Sequence, residues 1–316
     1  MRYTVFVLLV AASGLAVFWP RLNFSVDPFV SGKPVLPWLV VTAMLAIGSL
    51  LPADEVQQIL RRWPEVVGGT AAQYTLMPLL AFLSVRIFQF DDDLAAGVMI
   101  AGCVPGAMAS NVLTLQARGN VSYSVSLTTL ATLLSPIVVP LALGLTIGST
   151  QGYDGTKAIV TLLWQVVLPV TAGYLLSRCV PVWHRATNAA GTYIANAAIL
   201  AIIAVVVGLQ RDALVNVSAS LLTALLLLNL LGYAGGFLAG HSMKLPGDMR
   251  RALTLEVGMQ NAGVGSVLAV QIFGSDSRAA IPCALYTFGC MFTGTVLATL
   301  WRGVPIKHCS QPPDSG

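Results

Sequence analysis

Ten apolar stretches, each near or above the ~20 residues that a helix needs to cross a bilayer, constrain this chain more than any other feature. They run over residues 3–19, 35–52, 66–88, 94–114, 121–147, 157–177, 188–208, 216–239, 252–271 and 279–301. In hydrocarbon the backbone must satisfy its own hydrogen bonds, so the expected fold is an all-α membrane protein of ten transmembrane helices. Composition agrees, with 56% of the 316 residues hydrophobic and 9% charged, against about a quarter charged in soluble domains. The net charge of +4 comes without a basic run or aromatic–basic interleaving, so a nucleic-acid partner is not expected. Arg2 before the first apolar run is also compatible with a secretory leader, but no small-x-small site precedes Trp19-Pro20 and the even span count includes this run.

Loop charges orient the spans. With the N-terminus inside, 11 of the 17 Lys and Arg residues fall in inner segments and 6 in outer ones. Both termini are therefore expected in the cytoplasm, in a multi-pass protein of the inner (cell) membrane, with Asp91, Asp92 and Asp93 outside. Trp19, Trp38, Trp63, Trp183 and Trp301 stand near span ends, where interfacial anchors belong. The five cysteines have no paired or metal-like spacing, so no disulfide is expected.

Five spans precede the Gly/Ser/Thr-rich linker 148–155 and five follow it. An odd number per half forces the halves into opposite orientations, the logic of an inverted repeat over residues 1–150 and 151–316. The fourth span holds Val104-Pro-Gly-Ala-Met-Ala-Ser-Asn111; the ninth holds Glu256-Val-Gly-Met-Gln-Asn261. Shifting one half by 150 residues lays Asn111 on Asn261. Gly- or Pro-interrupted polar patches at matching places in two halves mark broken helices, whose freed carbonyls can hold ions. Gly232, Gly236 and Gly240, and likewise Gly144 with Gly148, are expected to form close-packing faces. Pro78, Pro136, Pro140 and Pro169 are expected to kink their spans.

Around the breaks the polar groups are oxygen-rich: Gln73, Ser110, Asn111, Ser124 and Thr128 in one half, Glu256, Gln260 and Asn261 in the other. Ser124 and Thr128, four apart, share a helix face. Carboxylate, amide, hydroxyl and carbonyl oxygens suit a hard cation. One carboxylate balances one monovalent ion, and a second ion would rest on neutral dipoles. Half-helix N-termini beyond the breaks would face an anionic substrate.

Gly106-Ala-Met-Ala-Ser-Asn111, Ala117-Arg-Gly-Asn-Val121, Leu133-Leu-Ser-Pro136 and Glu256-Val-Gly-Met-Gln-Asn261 resemble the bile acid:sodium symporter family, over roughly residues 73–301. The resemblance implies a core of spans 3–5 and 8–10, in which broken helices 4 and 9 cross, and a panel of spans 1, 2, 6 and 7. It implies two sodium ions. Ser110, Asn111, Ser124, Thr128 and Glu256 would hold one; Gln73, Gln260, Glu256 and the carbonyls of Val257 and Met259 would hold the other. Asn261 matches a substrate-facing position. Two departures stand out: Met108 where relatives often carry Thr, and Gly289-Cys290-Met291 where they often carry Trp-His-Asn. A cavity lined by Met108, Asn261, Cys290 and Met291 is therefore expected, taking a small organic anion other than a standard bile acid or pantoate-like molecule.

The leading expectation is a sodium-coupled symporter working by alternating access, with no obligate protein partner. The alternatives are a proton-coupled carrier using Glu256, or an arsenite-type efflux carrier using Cys103. An intramembrane hydrolase would need a nucleophile with its base, or paired aspartates, at membrane depth. No His stands mid-span and the outer aspartates lie in or beside loops, so the chain is not read as an enzyme.

Overall fold

The computed structural model describes residues 4–147, 153–214 and 216–305, and the described residues are helical with short connections. Arg2, Lys307, Cys309 and residues 148–152 of the linker lie outside them. Twelve helices matter here: α1 (Thr4–Phe18), α2 (Leu36–Ser49), α3 (Trp63–Phe88), α4 (Asp92–Cys103), α5 (Ala109–Gln116), α6 (Val121–Ile147), α7 (Gly155–Cys179), α8 (Pro181–Leu209), α9 (Ala219–Ser242), α10 (Gly247–Gly258), α11 (Ala262–Phe273) and α12 (Ala280–Arg302). Six of them, α3, α6, α7, α8, α9 and α12, are long and apolar enough to cross a membrane. On α6, Leu133, Ile137, Leu141 and Leu145 recur every four residues and are 41–80% exposed. Such a stripe would be costly in water and suits lipid. The molecule is a multi-pass membrane protein.

Local chemistry sets the helix ends. Asp91, Asp154 and Ser218 each accept a backbone N–H three residues on, at 3.2, 3.0 and 3.2 Å, capping α4, α7 and α9. Both polar patches interrupt their helices, at 104–108 between α4 and α5 and at 259–261 between α10 and α11. Of the prolines, Pro78, Pro136 and Pro140 lie inside uninterrupted helices. Pro169 instead follows a π-helical turn, Leu163–Val167, inside α7. Proline has no N–H to offer residue 165 and its ring crowds that carbonyl, so the ladder widens just before it.

The helices pack in two groups. In one, α1 and α2 lie on α8, and α2 also lies on α7. A Cβ on Gly48 would sit 2.0 Å from the Val170 carbonyl, and one on Gly173 2.2 Å from that of Leu45, so α2 and α7 meet backbone to backbone. In the other, α3 packs on α4, α6 and α9; α10 lies along α9; and α12 lies on α4, α9 and α11. Here the expected glycine face of α9 is present: a Cβ on Gly236 would press on the Leu253 carbonyl at 2.9 Å. Among the described residues a Cβ on Gly144 would meet the Tyr153 ring at 3.9 Å, and its expected partner Gly148 lies outside them. The groups touch where α7 meets α6 and α11, where α8 meets α11 and α12, and where α1 meets α12 and α2 meets α11.

Candidate functional site

The two interruptions meet each other. The residue before a proline avoids helical geometry, and Val104, ahead of Pro105, is extended at φ −64° and ψ 156°. Met259 is extended as well, at φ −113° and ψ 98°. Side by side, the segments form an antiparallel bridge between Gly106 and Gln260. Ala107 N–H donates to the Met259 carbonyl at 2.8 Å, and Asn261 N–H to the Pro105 carbonyl at 2.7 Å. Each break thus satisfies backbone groups that the other has freed.

Glu256, in the last turn of α10, points at this junction and is 0% exposed. Ser110 Oγ donates to its Oε2 at 2.5 Å and Thr128 Oγ1 to its Oε1 at 2.6 Å. Thr128 Oγ1 also stands 3.5 Å from Asn111 Oδ1, and Ser124 Oγ lies 3.3 Å from Thr114 Oγ1. The structure therefore brings Ser110, Asn111, Ser124, Thr128 and Glu256 together from α5, α6 and α10. Among the described residues, Glu256 has no ion-pair partner. The nearest basic residue along α10, Arg251, is occupied elsewhere, donating to the carbonyls of Ala117, Trp301 and Val304 at 2.7–3.1 Å.

Beside the carboxylate, Gln73 Nε2 donates to Gln260 Oε1 at 3.1 Å, and Gln260 Nε2 to the Val257 carbonyl at 3.1 Å. Gln73 Oε1 is buried without a partner. An uncompensated buried carboxylate and an orphaned buried amide oxygen, amid hydroxyls and carbonyls, fit a hard cation.

The four pocket candidates are not joined into one cluster by hydrogen bonds. Met108 Sδ accepts from Asn111 Nδ2 at 3.6 Å, and Asn261 Oδ1 caps α11 by accepting from Val264 N–H at 3.4 Å. Cys290 is 2% exposed, its Sγ donating to the Thr287 carbonyl, while Met291 is half-buried. Cys103 is fully buried and free, as are Cys283 and Cys290; Cys179 is free and exposed.

Sequence reasoning missed a second buried polar cluster behind the break. Asn229 Nδ2 and Tyr286 Oη each donate to the Gly258 carbonyl at 2.7 Å, and Thr293 Oγ1 donates to Asn229 Oδ1 at 2.6 Å. The signal was a lone Asn in an otherwise apolar run, Leu225-Leu-Leu-Leu-Asn229-Leu-Leu231, which at membrane depth is a functional candidate by default. Glu55 was also missed: it is 1% exposed, and its Oε1 accepts from Ser126 Oγ at 2.8 Å.

The profile of the Sodium Bile acid symporter family matches residues 37–217. An uncharacterized sodium-dependent transporter of Bacillus subtilis is 34% identical over 262 residues, covering 82% of this chain and 80% of its own. A probable sodium/metabolite cotransporter of Arabidopsis chloroplasts is 31% identical, covering 84% and 67%. The human hepatic sodium/bile acid cotransporter is 27% identical, covering 78% and 74%. With the family profile spanning more than half of the chain and a sodium-dependent transporter a third identical across four-fifths of it, this protein belongs to the sodium bile acid symporter family, a family of sodium-dependent transporters.

Proposed function

We propose that this protein is a sodium-coupled symporter of a small organic anion, working by alternating access in the cell membrane. The observation that carries the reading is Glu256: a fully buried carboxylate held by two hydroxyls and no basic side chain, at the junction of two unwound segments. A bare carboxylate in hydrocarbon costs several kcal/mol, and a monovalent cation relieves that cost. Ser110, Asn111, Ser124, Thr128 and Glu256 form the first sodium site in this reading. Gln73, Gln260, Glu256 and the carbonyls of Val257 and Met259 form the second, to which the free Gln73 Oε1 is suited.

The twelve helices make ten passes in two inverted five-pass repeats, α4 with α5 and α10 with α11 each counting as one broken pass. The group of α1, α2, α7 and α8 is the panel; the remaining helices are the core. Polar contacts between the groups gather at the Asp91 end. There Gln165 and Gln271 exchange hydrogen bonds at 3.0 and 3.1 Å, Gln210 Nε2 donates to the Ser275 and Ser277 carbonyls, and Lys33 Nζ donates to Ser275 Oγ. These contacts hold the two groups together at that end. The substrate meets Asn261 and the apolar side chains of Met108 and Met291, with Cys290 behind them, and Met108→Thr is the variant that alters its selection.

The test needs no substrate. Sodium chloride is titrated into purified protein at ionic strength held constant with potassium, and the melting midpoint is followed. A ligand that binds only the folded state raises that midpoint with concentration. Wild type is expected to respond to sodium alone. Glu256→Gln keeps shape and an oxygen but removes the balancing charge. It should fold and lose at least a hundredfold in sodium affinity, about 2.7 kcal/mol. A wild type that responds to pH and ignores sodium would transfer the carboxylate to proton coupling.

A further inference from the structure

The break in the ninth pass frees several carbonyls, and the structure treats them differently. Val257 O accepts one amide hydrogen from Gln260, and Met259 O accepts Ala107 N–H from the opposite break. Gly258 O, between them, accepts two strong donors at 2.7 Å, Asn229 Nδ2 from α9 and Tyr286 Oη from α12. Both donor residues are 1% exposed. Two lone pairs filled by two buried donors leave that oxygen nothing for a cation. The donors are themselves held. Thr293 Oγ1 on Asn229 Oδ1 fixes which end of the amide faces the break, and Tyr233, four residues after Asn229 on the same face of α9, packs its ring on Gly258. A Cβ on Gly258 would lie 2.1 Å from Tyr233 Cδ1.

We infer that Asn229 and Tyr286 are positioning residues for cation binding: they pin the Gly258 carbonyl towards α9 and α12, and so fix the next carbonyl, that of Met259, on the opposite side, towards Gln73 and Glu256. Consecutive carbonyls along an extended residue point to opposite sides, so with Met259 extended, holding one oxygen sets the next. The unwound segment then arrives at the cation with its dipoles already aimed, and no ordering cost is left to binding. This inference rests on the sodium reading above. It adds that affinity is set from behind the break, by side chains that do not touch the ion.

The experiment is the same sodium titration on three proteins: wild type, Tyr286→Phe and Tyr153→Phe. Tyr286→Phe deletes one hydroxyl and leaves Asn229 on the carbonyl, so the fold should survive. The control, Tyr153, donates its hydroxyl to the Pro140 carbonyl at 2.7 Å, away from the break. Tyr286→Phe is expected to need about fivefold to tenfold more sodium for the same stabilisation, with a nearly unchanged midpoint in potassium. Tyr153→Phe should keep the wild-type sodium dependence. Thr293→Val, acting one bond further back, should shift it by a smaller factor in the same direction. If wild type responds to sodium and Tyr286→Phe responds identically or more tightly, the positioning role is wrong while sodium binding stands. If Tyr153→Phe weakens sodium binding as much as Tyr286→Phe, the effect is general loosening and the inference also falls. A wild type blind to sodium removes the reading on which it rests.

Discussion

Glu256 packs directly against the backbone of Gly106. A Cβ on Gly106 would lie 2.0 Å from Glu256 Oε1, so the carboxylate lies against a bare stretch of backbone in the opposite break. Gly106→Ala should therefore push Oε1 off Thr128 and raise the sodium concentration for half-maximal stabilisation at least tenfold. Gly14→Ala, with nothing within 4 Å of its Cβ, should be silent in the same titration. Gln73→Ala removes only a neutral amide from the proposed second site, so uptake should keep its sodium dependence while its Hill coefficient falls from near two towards one. Glu55, outside the spans, behaves differently. Burial, its strongest influence, pushes its carboxyl above the usual range, as does neighbouring Asp54, while the Ser126 hydrogen bond opposes them. Its Oε2 is buried without a partner. A carboxyl raised in the folded state stabilises most below its unfolded pKa, and that contribution fades as pH rises through the folded value. Glu55→Gln should therefore raise the melting midpoint by a few degrees near neutral pH, with the gain shrinking as melts are run towards pH 4.

At the scale of elements, α7 and α11 are joined by reciprocal hydrogen bonds between Gln165, inside the π turn, and Gln271. Widening the helix at that turn alters which way its side chains point, and Gln165 is 7% exposed against α11. Removing one amide strands the other in a largely apolar interface, a penalty of about 1–3 kcal/mol, whereas replacing both is nearly neutral. Gln165→Leu and Gln271→Leu should each lower thermal stability, and the double variant should recover much of the loss. A melt of the four proteins checks this, and strict additivity would mean that the amides do not act as a pair.

For the whole molecule, the orientation we propose from the loop charges sets the chain ends inside and the Asp91 end outside. A cysteine at Asp92, in a protein otherwise freed of reactive thiols, should be labelled by a membrane-impermeant maleimide on intact cells. Labelling only after permeabilisation would reverse the orientation.

Two facts were legible from residue order alone: an α-helical membrane protein, because apolar runs of that length admit little else, and two broken helices, because Pro105, Gly106 and Gly258 stand beside polar side chains where an apolar ladder should continue. The oxygen-rich cluster around Glu256 was legible too, since Ser124 and Thr128 share a helix face by spacing and Glu256 stands out against its apolar surroundings. What residue order could not carry was which freed carbonyl goes to which partner. Gly258 is capped by side chains 29 and 28 residues away, and Met259 bonds Ala107 in the other half of the chain. Such pairings depend on how α9, α10 and α12 are packed, and a local pattern has no memory of that. Burial of Glu55 under α6 and the amide pair of α7 and α11 were decided the same way. A polar residue is marked by its neighbours in sequence, but its partner is chosen only when helices from distant parts of the chain close around it.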